Sequence, residues 1–200
     1  VKAVEDDAIS LHDFVALDLI MGKQKEIPNG RGAMPSRYKA FSPALRAAVK
    51  AFTERGGNVL LTGAYVATDI WDNGKAPVTD EVEWAQQVMG YTYVDGCATL
   101  GSGIYTVPTP GSAIAAGARY SFYNTLNGNF YAVESPDAIK ASDTKGATFL
   151  RYAENNIPAG IVSDRGLYRT VVMGVPFETL RSADQRRQLM ADVMQFFSKK

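Results

Sequence analysis

In 200 residues the sequence carries one cysteine, Cys97, and one histidine, His12. A single thiol excludes an internal disulfide and any zinc site built from cysteines. Any Cys–His or Ser–His–Asp nucleophile would have to use His12. An excess of one charge is lacking as well: 21 Lys and Arg stand against 21 Asp and Glu, for a net charge of zero. That balance gives no electrostatic drive toward DNA, RNA or an anionic membrane. Long apolar runs are missing too. The longest, Phe14 to Met21, is strand-length and carries Asp18, whereas a membrane span needs about 20 apolar residues. No repeat, low-complexity tract or interdomain linker is visible. A single domain is expected over residues 1–200, and a chain of this size buries roughly 70% of its unfolded surface. No signal peptide is visible and the first residue is Val1 rather than Met, so the sequence reads as a fragment from which a targeting segment, if the protein has one, is absent.

What is there begins with a helix–glycine–strand block, Ser42 to Tyr65. Ser42 and Pro43 suit an N-cap and first helical position, and Leu45, Ala48, Val49 and Phe52 recur at helical spacing. Gly56-Gly57 stops the helix, and Asn58 to Thr62 reads as a buried strand that breaks at Gly63-Ala64. Upstream, Phe14–Met21 reads as a strand and Lys23–Lys39, with Pro28, Gly30, Gly32 and Pro35, as a loop. Downstream, Val66–Val78 is a loop, and Thr79 caps a helix over Asp80–Met89 whose Asp80, Glu81 and Glu83 suit its N-terminal dipole. The order strand, helix, strand, helix argues for a parallel sheet covered on its faces.

The middle is different: Tyr91–Val94, Ile104–Val107, Tyr120–Leu126 and Phe130–Glu134 are short and β-rich, with a hairpin signal at Asn127-Gly128. Strands are expected again at Ala147–Tyr152, Ala159–Ser163 and Tyr168–Val175, the last pair turning at Asp164-Arg165-Gly166. Ser182 and Gln185 form a capping-box pattern for a final helix, whose core face is Leu189, Val193, Phe196 and Phe197.

Several of these segments resemble one family. Leu11-His-Asp-Phe-Val15 stands where the family has an L-x-D-Y-D element leading into a strand that ends in Gly, here Ile20-Met21-Gly22. Phe14 and Val15 replace its Tyr and Asp. Phe41-Ser-Pro43, Gly56-Gly57-Asn-Val-Leu-Leu61 and Gly63-Ala64-Tyr65 with Asp69 resemble its middle. Tyr168–Gly174 followed by Pro176-Phe-Glu-Thr179 resembles its closing strand. The family is the class I glutamine-amidotransferase-like module of secreted bacterial proteins labelled xanthan lyase, and the resemblance covers most of the chain.

The resemblance implies an α/β fold: a flavodoxin-like, doubly wound, mostly parallel sheet with helices on both faces and an added antiparallel segment in the middle. It implies a secreted or periplasmic location, with polysaccharide and other domains of the same parent protein as partners. It also implies that a first strand–helix–strand segment, which precedes L-x-D-Y-D in the family, is missing from this sequence. The activity in the label is not carried over, because fold-level likeness is weak evidence of function.

Amidotransferases need a Cys at the strand-end turn with a His and a Glu to activate it. Thr62 to Tyr65 offer no Cys, Ser or His, and Cys97 and His12 read as two unrelated structural residues. No catalytic residue, cofactor or metal is assigned. Ligand binding is expected at the strand-end rim, where doubly wound sheets bind ligands, through Tyr65, Asp69, Trp71, Asp72 and Glu178. The aromatics would stack on sugar rings and the carboxylates would accept sugar hydroxyls, hold a hard cation or act as an acid/base pair. The competing reading has Asp69 and Glu178 bonded to loop backbone or to Arg169 and Arg181. Gly101-Ser102-Gly103 is a lone G-x-G read as a turn. The aromatics from Tyr91 to Tyr131 serve either as sugar platforms or as cross-strand packing. Two functions remain: a non-catalytic binding or structural module of an exported protein, or a glycan- or peptidoglycan-directed hydrolase using the rim carboxylates.

Overall fold

A computed structural model describes residues 2–6, 8–27, 29, 38–99, 105–114, 119–126 and 128–199. Helix α1 (Lys2–Glu5) leads through a 3-10 turn into strand β1 (Ala16–Gly22). Helix α2 (Pro43–Thr53), strand β2 (Asn58–Gly63) and the short α3 (Thr68–Trp71) follow. Helix α4 (Thr79–Glu83) continues as a π-turn over Trp84–Met89. Then come β3 (Tyr91–Asp95), β4 (Tyr105–Pro108), β5 (Tyr120–Ser121), β6 (Ala138–Ala141), β7 (Gly146–Tyr152), β8 (Pro158–Asp164) and β9 (Arg169–Met173). Helix α5 (Ala183–Ser198) closes the chain.

The caps read from sequence form. Ser42 Oγ accepts the N–H of Leu45 at 3.2 Å, and Ser182 Oγ that of Gln185 at 3.3 Å. Phe130–Glu134 does not become a strand. Phe130 instead stacks on Tyr123 with ring centroids 4.7 Å apart, and Val133 donates a single backbone bond to Tyr123. The Gly101–Gly103 motif, Ile104, Asn127 and the loop's Pro28, Gly30, Gly32 and Pro35 lie outside the described residues.

The expected flavodoxin-like, doubly wound parallel sheet is corrected. Among the described residues the main sheet has seven strands in the order β1-β2-β9-β8-β7-β4-β5 and curls strongly into a half-barrel. Only β1·β2 and β2·β9 are parallel among the described residues. The pairs β9·β8, β8·β7, β7·β4 and β4·β5 are antiparallel, and β3 and β6 form a separate antiparallel ribbon. The reason lies in the connections. Parallel neighbours need a crossover of a dozen or more residues, usually a helix: the segment with α2 supplies one between β1 and β2, and the long stretch from Ala64 to Tyr168 another between β2 and β9. Between β7, β8 and β9 the links are short turns with no helix, so those strands must run antiparallel.

The alternation of strand residues builds two cores. Leu19, Met21, Val59, Leu61 and Val172 face α2 and the α4 segment. Leu60, Val171 and Met173, one residue out of step, face α5. Parallel β1, β2 and β9 deliver their C-terminal ends to one side of the sheet, where the next loops gather. No described helix is long and apolar enough to cross a membrane.

Candidate functional site

Strand β2 runs into a crowded turn. A side chain at Gly63 would stand 2.9 Å from Met21 Cβ, and the N–H of Ala64 bonds Gly22 O at 2.8 Å. The residues that follow are held by a group the sequence reading did not single out. Asp137 Oδ2 accepts the N–H groups of Ala67 and Thr68 at 2.6 and 2.8 Å, and Oδ1 accepts the Thr68 hydroxyl at 2.5 Å. Tyr91 donates its hydroxyl to Val66 O at 2.6 Å, and Tyr152 to Asp137 O at 2.7 Å. Asp137 is buried, and burial pushes its carboxyl up to about 7 against the opposing pull of the Thr68 hydroxyl and the two N–H groups. In the sequence, Ser135-Pro136-Asp137 reads as turn punctuation. Only the apolar pair Ala138-Ile139 behind it hints at burial.

Beyond this turn opens a cleft of about 310 Å³, walled by Tyr65, Tyr93, Asp72, Lys25, Cys97 and Ser135 among others. Lys25 Nζ lies 4.3 Å above the Tyr65 ring. Tyr93 donates its hydroxyl to Asp72 Oδ2 at 3.1 Å, and partial burial together with that bond raises the phenol to about 12, so it stays a donor at neutral pH. Trp71 stacks behind Tyr93, centroids 6.5 Å apart and planes within 13°. Ser135 Oγ lies 3.5 Å from Cys97 Sγ, and the Cys97 N–H bonds Asp95 Oδ1 at 2.8 Å. The arrangement offers aromatic surface, a carboxylate, an ammonium and hydroxyls around one small volume.

The five expected ligand residues are thus divided. Tyr65 and Asp72 line the cleft and Trp71 backs it. Asp69 is 1% exposed and turned inward, its two oxygens accepting the N–H groups of Glu26 at 2.6 Å and Ala40 at 2.8 Å. Burial raises its carboxyl, while those two N–H bonds and Lys39 work the other way. It bonds loop backbone at both ends of the Lys23–Lys39 loop. Glu178 sits elsewhere on the rim, over the end of β1, where Oε1 accepts the Tyr131 hydroxyl beside Gly22. No arginine bonds it among the described residues, and Oε2 is buried without a hydrogen-bond partner there.

Cys97 and His12 stand apart. His12 precedes β1 and lies 3.6 Å from Asp13, at the N-terminal end of a strand parallel to β2. Cys97 belongs to the cleft beyond the C-terminal end of β2. The aromatics divide in the same way: Tyr91, Tyr120 and Phe122 are fully buried, while Tyr93 reaches the cleft. Among the described residues no three His, Cys, Asp or Glu side chains converge as a metal site.

The fold has known counterparts. The chain superposes on part of the β-galactosidase from Bacillus circulans sp. alkalophilus with a TM-score of 0.58 and 15% identity, covering 94% of this chain and 23% of that one. It superposes on part of the β-galactosidase from Rahnella sp. R3 with a TM-score of 0.55 and 12% identity, covering 92% and 22%. The chain therefore spans about a fifth of the length of either protein, and the likeness is one of fold. No family model and no curated protein sequence matches the chain.

Proposed function

We propose that this chain is a non-catalytic, carbohydrate-associated binding module of an exported multidomain protein, with the Tyr65–Asp72–Tyr93 cleft taking a sugar unit. One observation carries the reading: aromatic faces and hydroxyl-bonding groups line one cleft beside a turn whose N–H groups are already occupied by Asp137. Sugar rings stack on aromatic faces, and their hydroxyls donate to carboxylates such as Asp72. The fold shared with parts of two β-galactosidases, proteins named for acting on β-galactosides, supports carbohydrate as the ligand class. The motif resemblance to modules of secreted bacterial proteins supports export.

The hydrolase alternative asks for two carboxylates flanking the scissile bond roughly 5 to 10 Å apart. Of Asp69, Asp72 and Glu178, only Asp72 opens into the cleft, so Asp95 would have to partner it.

Titration of tryptophan fluorescence, to which Trp71 beside the cleft and buried Trp84 both contribute, and of amide resonances with lactose, galactan fragments and xanthan fragments tests the reading. Binding should be weak and nearly insensitive to salt, since the chain has no net charge. Tyr93→Ala should abolish it in a protein that circular dichroism shows to be folded, and Asp72→Ala, at an exposed side chain, should weaken it at a nearly unchanged melting temperature. If no saccharide moves any signal, the binding reading fails; release of reducing sugar that depends on Asp72 and Asp95 would establish the hydrolase instead.

A further inference from the structure

Strand β1 is the terminal strand of the seven-stranded sheet, and among the described residues no strand pairs with its outer edge. Helix α5 packs over Leu60, Val171 and Met173 but leaves Ile20 of β1 51% exposed. Between β1 and α5 opens a groove of about 410 Å³ floored by Leu60, Val193 and Phe197. Apolar side chains crowd its margin: Phe14 is 54% exposed, Val15 76% and Met194 44%. Contiguous apolar surface of this kind marks an interaction site more often than scattered residues do.

Two details define what fits. First, every residue from Asp13 to Asp18 lines the groove. Of these, Ala16, Leu17 and Asp18 belong to β1, where side chains alternate between faces, so a groove on one face alone would be lined by Ala16 and Asp18 but not by Leu17, whose side chain packs against the opposite core. Unbroken lining means that the opening reaches the backbone edge of the strand, where an added strand can pair. Second, the charged groups in the lining are Asp13 and Asp18, with no Lys or Arg. Partial burial and the like charge of Glu178 hold the Asp18 carboxyl above the usual carboxylate range, a situation that a nearby cation relieves.

We propose that the β1–α5 groove docks an extended, strand-forming segment of a partner polypeptide, with an apolar side chain in the groove and a Lys or Arg beside Asp18. A second copy of this chain is the poorer occupant. A two-fold pairing through β1 would set this acidic edge against itself, and like charges facing across strands repel.

The test uses the full chain and two blocked peptides of about ten residues. Both alternate Val with a charged residue around a central Phe, one with Lys and one with Glu. Fluorescence anisotropy should show the Lys peptide binding saturably and the Glu peptide binding roughly fivefold or more weakly. Asp18→Lys should reverse that preference. Val15→Asn, which adds no charge at a side chain already in solvent, should weaken binding severalfold while circular dichroism and the melting temperature stay as in the parent. Equal binding of the two peptides, or binding indifferent to both substitutions, would overturn the proposal. So would a concentration-dependent dimer in sedimentation that Val15→Asn weakens, since the occupant would then be a second copy.

Discussion

Asp137 Oδ2 accepts the backbone N–H of Ala67 at 2.6 Å, across 70 positions of sequence. In enzymes that use a strand-end turn for acyl chemistry, N–H groups near such a turn stabilise the developing oxyanion. Here the N–H groups of Ala67 and Thr68 are spent on a side chain. The turn is thereby fixed as a structural corner, and the open cleft lies beyond it.

This corner gives the protein a pH signature. The folded state keeps a proton on Asp137 up to about pH 7, whereas the unfolded chain releases it near the ordinary value of 3.8. The folded state therefore binds more protons in that window, so this group's contribution to stability falls as pH rises through it and levels off above it. Asp137→Asn removes the slope. Urea denaturation of both proteins should show their stability difference changing by up to about 1.4 kcal/mol per pH unit between about pH 5 and 6.5. Parallel profiles would mean that Asp137 is ionised throughout.

Asp69 and Asp72, three positions apart, should behave oppositely. Asp69→Ala leaves the N–H groups of Glu26 and Ala40 without their acceptor, and should cost about 2 kcal/mol or more. Asp72→Ala touches an exposed residue and should shift stability by no more than about 0.5 kcal/mol. It should, however, weaken sugar binding. Thermal melts and titrations on the two variants separate the roles; equal destabilisation would refute the assignment.

Gly174 is required by the corner. A Cβ there would stand 2.0 Å from Asp137 O, so Gly174→Ala must displace backbone and should cost about 3 kcal/mol. Gly128→Ala, with nothing within 4 Å of the added carbon, should be within about 0.5 kcal/mol of the parent. Chemical denaturation of the pair tests the contrast.

The acids at the start of α4 do more than favour a helix dipole. Arg46 is buried and donates to Glu81 Oε1 at 3.2 Å, Asp80 Oδ2 at 2.6 Å and Phe41 O at 2.8 Å, while Lys39 also pairs with Glu81. Removing buried Glu81 leaves Arg46 with only Asp80 and Phe41 O and takes the carboxylate from Lys39, so Glu81→Ala should cost about 2 kcal/mol. Asp80 is exposed, so Asp80→Ala should cost below about 1 kcal/mol. Comparable losses at the two positions would contradict this division.

Local rules carried much of the reading from sequence. The caps at Ser42 and Ser182 and the apolar faces of α2 and α5 were visible because each depends on residues within a few positions of one another. Half of the capping box is absent, though: the Gln185 side chain bonds Arg119 O instead of turning back on its own helix. Sheet order was hidden, because a strand such as Ala147–Tyr152 looks the same whichever way its neighbour runs. The direction follows from connection length, and the short links around β8 held that information. Strand β6 and Asp137 were obscured by Pro136, whose local signal is a turn and whose role arises only when the chain returns to β2.

The place of β2 between β1 and β9 has a consequence during synthesis. Its second parallel partner ends at Met173, while β2 itself ends at Gly63. At ribosomal speeds of about 5 to 20 residues per second, the interval between the two is on the order of ten seconds. Throughout it, a strand reading Val59-Leu60-Leu61 has one open edge, which is the condition under which nascent chains find wrong partners. Expression yield should therefore respond to elongation rate and to chaperone supply more than the stability of the finished fold suggests.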